Sequence, residues 1–430
     1  MRRRGPFGGG SLRRRPDRRL ISVIMLFFFS AFLLISVKDA IHWRGIGLAL
    51  AVPVLIYIAT MWLPRFFPAD KLLLAIANFL CGLGVLILYS TDQGAGTARG
   101  IQQAVFYGVG ILAMLVCILL VRYVRRWKFL ISLIMLGSML LLALPLAIGS
   151  EQNGAFNWIN IGGINLQPSE VVKLSLLLIL SYYLSERRMI PWLLFALFSL
   201  GVLMLQRDMG TALIYYTATL LMFYSSTGNL PMTGLGVLGG MGGAVLGYQM
   251  FAHVKVRVAI WRNPWIYYET SGYQIVQMLM AIASGGLFGV GLGLGAPRLI
   301  PVYFTDCIFA VICEQFGIIF GILVLVMYVI LIIRGASIAT FARSGFHSLL
   351  AMGCTVMLGI QTFVIIGGVL KLIPLTGVTM PFVSYGGTSM VSCMGTIGLL
   401  QGVASINQDD LAYDYDISRS LWEEELLPEA

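Results

Sequence analysis

Leu299-Ile-Pro-Val-Tyr-Phe-Thr-Asp-Cys-Ile-Phe-Ala-Val-Ile-Cys-Glu314 opens an apolar run that continues to Ile333. The stretch from Asp306 onward is long enough to cross a bilayer, which takes about 20 apolar residues. Asp306 stands at its mouth, and a carboxylate is costly there, so the position is a candidate for function. The rest of the chain has the same apolar character. Of 430 residues, 58% are hydrophobic and 11% charged, and the mean hydropathy is +0.88. That leaves too little polar surface to cover a soluble globule, so the composition specifies an all-α polytopic membrane protein.

Working outward from Asp306, segments of crossing length lie at 20–37, 46–63, 72–90, 104–121, 129–148, 170–185, 190–206, 209–226, 232–252, 306–333, 347–369 and 388–405. About twelve transmembrane helices are expected. The residues Arg65 and Lys71, then Arg122, Arg125, Arg126 and Lys128, then Arg187 and Arg188, then Arg334 and Arg343 fall in alternate connections. They share a side with the N-terminal arginines, which places both termini in the cytoplasm. A basic arm, 1–19, carries Arg2, Arg3, Arg4, Arg13, Arg14, Arg15, Arg18 and Arg19 and suits an anionic inner leaflet. It is short and runs straight into an apolar segment, which disfavours nucleic acid as its partner. Segment 20–37 lacks a small-residue cleavage site and reads as a retained helix rather than a signal peptide. The tail, 406–430, is acidic, with Asp409, Asp410, Asp414, Asp416, Glu423, Glu424, Glu425 and Glu429. The six cysteines are scattered through apolar stretches without a Cys-x-x-Cys pair, so neither a disulfide framework nor a metal site is indicated.

The irregular stretches collect on the opposite face, at 151–168, 206–208, 253–305 and 371–388. The long connection 253–305 carries Lys255, Arg257, Arg262 and Arg298, with Glu269 as its acidic counterpart before Asp306. Cations retained outside point to an anionic ligand; the alternative is that they snorkel to lipid phosphates. Within this connection Gly272 to Ser284 is too short to span and reads as a re-entrant or interfacial helix beside a cavity. Three further polar sites face the same way. Glu170 and Lys173, at i and i+3 behind Pro168, share one helical face and suit either a ligand site or a local ion pair. Asp208 suits either chemistry or a helix cap. Pro374 to Ser389, with two prolines, three glycines and Ser384, is a folded loop that offers backbone donors or merely builds a turn. Asp306 could itself be an N-cap.

Together these residues resemble the SEDS family (shape, elongation, division and sporulation) of bacterial peptidoglycan polymerases, the FtsW, RodA and SpoVE group. The resemblance is carried by Asn157-Trp-Ile159, Gln167-Pro-Ser-Glu-Val-Val-Lys-Leu174, Asp208-Met-Gly-Thr-Ala-Leu213, Arg262-Asn-Pro-Trp265, Gly272-Tyr-Gln274, Thr305-Asp-Cys-Ile-Phe-Ala-Val311 with Glu314, and Pro374-Leu-Thr-Gly377 through Pro381-Phe-Val-Ser-Tyr-Gly-Gly387. It implies a ten-helix core over 72–405, so that 20–71 becomes an added N-terminal hairpin. It also implies polymerisation of lipid II into glycan strands at the outer face of the bacterial cytoplasmic membrane, during division, elongation or sporulation. The implied partners are undecaprenyl-diphosphate-linked glycan, a class B penicillin-binding protein acting as transpeptidase, and other divisome or elongasome membrane proteins.

By position in the motif, Asp306 matches the family's essential aspartate. We expect it to act as general base on a sugar hydroxyl, in a partly desolvated mouth that strengthens it. An inverting displacement is expected, with Lys173, Arg257 and Arg262 neutralising the leaving diphosphate and Glu170 and Asp208 orienting the substrate or standing near a metal. Trp158, Gln167, Ser384 and Lys371 complete the expected substrate-binding set. No cofactor is required by these residues, although a divalent cation such as Mg or Mn is compatible with them. The chain departs from the pattern at Val302 and Phe304, where the family usually has Glu and His. Asn157 replaces Arg, Arg207 replaces Pro and Lys371 replaces Gly, so the two gained cations are expected to compensate for the lost one. Two other classes fit less well. A transporter of lipid-linked precursor needs charged access from both sides, whereas the acidic groups here cluster on one; a non-catalytic scaffold would account for the altered neighbours of Asp306.

Overall fold

A computed structural model describes residues 14–38, 42–92, 97–124, 127–152, 155–162 and 164–425. Arg2, Arg3, Arg4, Arg13, Arg125, Arg126 and Glu429 lie outside the described residues. Each of the twelve apolar segments falls on a helix. These are α1 (Arg14–Val37), α2 (Trp43–Tyr57), α3 (Lys71–Asp92), α4 (Arg99–Tyr123), α5 (Trp127–Ile148), α6 (Pro168–Ser185), α7 (Met189–Leu205), α8 (Met209–Thr227) and α9 (Leu230–Met250), then α12 (Ile308–Phe341), α13 (Gly345–Val369) and α14 (Gly387–Glu425). Among the described residues, nine helices are long and apolar enough to cross a membrane, and the apolar α7 is shorter. The helices α6 and α8 are not among the nine. They carry polar side chains that find partners inside the bundle, such as the Tyr215 hydroxyl, which donates to Ser169 O at 2.6 Å. The chain is a multi-pass helical membrane protein.

α3 forms the centre of the bundle, buried from Leu73 to Asp92. The α1–α2 hairpin covers one side of it, with Phe28 and Phe32 fully enclosed and the Phe28 ring 5.3 Å from that of Phe79; α4, α12 and α14 pack against it elsewhere. At the end of the bundle where the basic connections lie, Asp70 gathers three elements. Its carboxylate accepts from Leu73 N, starting α3, and from Arg334 Nε at 3.0 Å, and its backbone N–H and C=O pair with the Gln401 amide at 3.0 and 2.9 Å. α14 does not release a separate tail after Gln408. It continues as helix to Glu425, with Asp409 paired to Arg122 at 2.8 Å and Asp410 and Asp414 beside Arg343.

The opposite end is more structured than its composition suggests. Residues 150–168 contain three short antiparallel strands, β1 (Ser150–Gln152), β2 (Ala155–Ile161) and β3 (Ile164–Leu166), a small departure from an all-α chain. The long connection 253–305 holds two helices, α10 (Ala252–Arg262) and α11 (Tyr273–Gly285), the latter at the position of the expected short helix. α12 is broken near its start at Gly317, where φ is +84°. The carbonyls freed there, of Glu314 and Gln315, accept from Val290 and Gly291 N–H, while Ile318 and Ile319 N–H donate to Gly286 and Leu287 carbonyls. The glycine-rich loop 285–295 therefore replaces the missing helical hydrogen bonds, the condition on which irregular backbone persists at membrane depth. Gly317 is needed both for its φ and for space, since a Cβ there would sit 2.3 Å from Leu287 O.

Candidate active site

Asp306 lies in the turn before α12, two residues ahead of Ile308. Cys307 occupies the cap position without a side-chain cap, so Asp306 is not spent on starting the helix. Half-buried, it lines a cavity of about 180 Å³ with Arg257, Ile260, Ser271, Gln274, Ile275, Leu375 and Gly377. Arg257 reaches the cavity from α10, and its Nη1 donates to Leu375 O at 3.2 Å and Thr376 O at 2.8 Å. Gly377, at φ +76°, keeps the floor open; a Cβ there would be 3.8 Å from both Arg257 Nη2 and Asp306 Oδ2. Burial pushes the Arg257 guanidinium below its usual value, and the carboxylates of Asp306 and then Asp208 pull it back up. The site thus pairs a proton acceptor with a fixed cation across one small space. It has one carboxylate beside a guanidinium, so a Mg or Mn ion would draw most of its oxygen ligands from substrate phosphates and water. Among the described residues no group of three or more His, Cys, Asp or Glu side chains converges.

The other expected site residues do not line this cavity. Asp208 caps α8, accepting from Thr211 N at 3.1 Å and Thr211 Oγ1 at 2.9 Å. It also accepts from Asn157 Nδ2 at 2.7 Å and Gln167 Nε2 at 3.2 Å, so it ties β2 and the start of α6 to α8. Trp158, next to Asn157 in β2, is half-buried. Glu170 and Lys173 form a buried ion pair at 2.7 Å. Lys173 Nζ also donates to Gln361 Oε1 at 2.9 Å, and Gln361 Nε2 passes the link to Thr379 O at 2.9 Å. Ser384 is buried, accepts from Met380 N at 2.8 Å and donates to Thr305 O at 2.5 Å, joining the 374–389 loop to the residue before Asp306.

The two gained cations do not share a site. Arg207, with φ of +61°, a value closed to proline, lies beside His253 at the start of α10. Burial, then Arg257 and Arg207, hold the His253 imidazole below its usual value. Lys371 lies at the other end of α10, with Nζ 3.5 Å from Arg262 O and its own carbonyl accepting from Trp261 Nε1 at 3.0 Å. Its φ of +60° favours glycine, the residue that the resemblance places there. From His253 to Trp261 is about 12 Å along the helix. Arg262 is exposed at the far end of α10 and does not line the cavity. Ser271 and Gln274 do line it. Gln274 stood in a motif of the resemblance, and Ser271 carried no signal, because only the fold of α11 against the Asp306 turn brings it there.

A helical membrane bundle whose loop-rich end encloses a carboxylate and a guanidinium defines a multi-pass protein with a reaction-sized cavity at one surface. Residues 70–409 match the profile of the FtsW/RodA/SpoVE family, described as cell cycle protein, and the chain belongs to that family. It is 33% identical over 414 residues to peptidoglycan glycosyltransferase RodA of Mycobacterium tuberculosis (strain ATCC 25618 / H37Rv), covering 88% of each chain. It is also 33% identical over 359 residues to stage V sporulation protein E of Bacillus subtilis (strain 168), covering 78% of this chain and 96% of that one. Among solved structures, a chain of a peptidoglycan synthase complex that coordinates polymerization and crosslinking superposes with a TM-score of 0.67 at 27% identity, over 80% of this chain and 98% of that one. Thermus thermophilus RodA gives 0.57 at 28% identity, over 80% and 99%.

Proposed function

We propose that the protein is a peptidoglycan glycosyltransferase that polymerises lipid II at the outer face of the cytoplasmic membrane, with both termini inside. The observation that carries this reading is the cavity in which Asp306 and Arg257 face one another across Gly377. The C4 hydroxyl of the incoming lipid II sugar attacks the anomeric carbon of the growing glycan on the face opposite its diphosphate. The new C1–O4 bond forms as the C1–O bond to phosphate breaks, with inversion. Asp306 takes the hydroxyl proton, since a sugar alcohol is a weak nucleophile until a positioned base removes it. The undecaprenyl diphosphate leaves as an anion and needs charge neutralisation rather than a proton. Arg257 supplies that charge, with Nη1 anchored on backbone carbonyls and Nη2 turned to the cavity.

In this reading Glu170, Lys173, Asp208, Gln167 and Ser384 hold the loops that shape the cavity, while Trp158, Arg262 and Lys371 would contact substrate outside it. A class B penicillin-binding protein is the partner that would crosslink the product. Purified protein incubated with lipid II should yield glycan polymer. Asp306→Asn should bind lipid II as the parent does and polymerise about 10²-fold or more slowly; parental turnover by that variant would refute the mechanism. Polymer formation also separates this function from a transporter or an idle scaffold, neither of which makes one.

A further inference from the structure

We propose that Arg99 is a positioning residue for Asp306, clamping the turn that carries it through Tyr303 and Phe304. The inference rests on the reading of Asp306 as the base. Arg99 is the first residue of α4, and its flanks are fixed by the buried Asp92, which accepts from Gly100 N at 2.8 Å and from the Thr97 hydroxyl. From that fixed base the guanidinium lies 4.0 Å from the centre of the Phe304 ring and 5.8 Å from that of Tyr303. Its Nη1 donates to the Tyr303 hydroxyl at 3.2 Å.

The turn it covers is strained. Val302 has φ of +53°, a conformation that a β-branched residue adopts only where its surroundings impose it. Two anchors come from the 384–387 side, with Tyr385 N–H donating to Phe304 O at 2.8 Å and the Ser384 hydroxyl to Thr305 O. Arg99 supplies the anchor from the α3–α4 side, face-on to the ring two residues before Asp306. The Phe304 ring gives a planar guanidinium a surface to stack on, which an aliphatic residue would not. Tyr303 and Phe304 are therefore one half of a clamp whose other half is Arg99.

The test uses the purified full chain and lipid II, with melting temperature checked for each variant. Arg99→Ala and Phe304→Leu should each lower kcat about 10- to 10²-fold, as misplacement of a base does, and leave KM for lipid II unchanged. The double variant should be no slower than the slower single one, because both cut the same link. Arg99→Lys should fall between parent and Arg99→Ala. If Arg99→Ala fails to fold, Phe304→Leu alone carries the test. Parental kcat in Arg99→Ala, a raised KM with kcat kept, or losses that multiply in the double variant would each overturn the clamp. These results are separable from failure of the mechanism itself, since an Asp306→Asn variant that is inactive beside a fully active Arg99→Ala removes the clamp and leaves the base.

Discussion

At the scale of single residues, Lys173 shows how one charge can suit two jobs. Its i, i+3 spacing from Glu170 made both a ligand site and a local ion pair reasonable, and in the structure it is 3% exposed and saturated by Glu170 and Gln361. Removing one partner of such a pair leaves a buried charge, which costs about 3–5 kcal/mol, whereas removing both is far milder. Lys173→Met should therefore lower the melting temperature in detergent sharply, and adding Glu170→Leu should restore much of it. A Lys173→Met protein that melts like the parent but binds lipid II weakly would mean that Lys173 contacts substrate. The Glu170 pairing was legible because the two residues lie on one helical turn. Gln361 was not, because nothing local links α6 to α13.

At the scale of elements, the break in α12 was hidden inside an unbroken apolar run. Composition cannot show it, because glycine also occurs inside unbroken membrane helices; the hydrogen bonds that reveal it come from the glycine-rich loop 285–295. Gly317, at φ +84° and ψ +168°, lies in a region essentially restricted to glycine, so Ala there adds a backbone penalty of about 1–3 kcal/mol to a clash with Leu287 O. Gly228→Ala, at φ +64° and ψ +7° in open space at the end of α8, meets the left-handed penalty of about 1–2 kcal/mol and no clash. Thermal melts of the two variants should rank Gly317→Ala well below Gly228→Ala. Equal losses would mean that the loop does not seal the break. α10 escaped notice for a different reason. His-Val-Lys-Val-Arg-Val alternates charge and β-branched residues, a pattern closer to a strand or loop than to a helix. It is helical because His253, Arg257 and Trp261 fall on one face, and Arg257 and Trp261 each donate to backbone carbonyls of the 371–376 loop.

At the scale of the whole molecule, the α1–α2 hairpin lies outside the region shared with the family profile, yet it covers α3 with Phe28, Phe32 and their neighbours. In a bilayer, lipid tails are as apolar as those side chains, so uncovering α3 removes packing contacts but creates no hydrophobic penalty. A chain shortened to begin at residue 66, which keeps Asp70, should insert, melt at a lower temperature and still polymerise lipid II; loss of polymerisation in a folded shortened chain would give the hairpin a direct role. By itself the sequence determined the membrane class, the helical segments and the grouping of irregular polar stretches on one face. These follow from local hydropathy and charge, which each segment carries wherever it is placed. Only the tertiary structure decided which polar residues share a cavity. Arg257 and Gly377 join Asp306 there, Lys173 and Asp208 turn inward to partners of their own, and Arg99 reaches the Asp306 turn from more than 200 residues earlier in the chain. Contacts across such separations depend on how helices pack, and no periodicity within a helix encodes its neighbour.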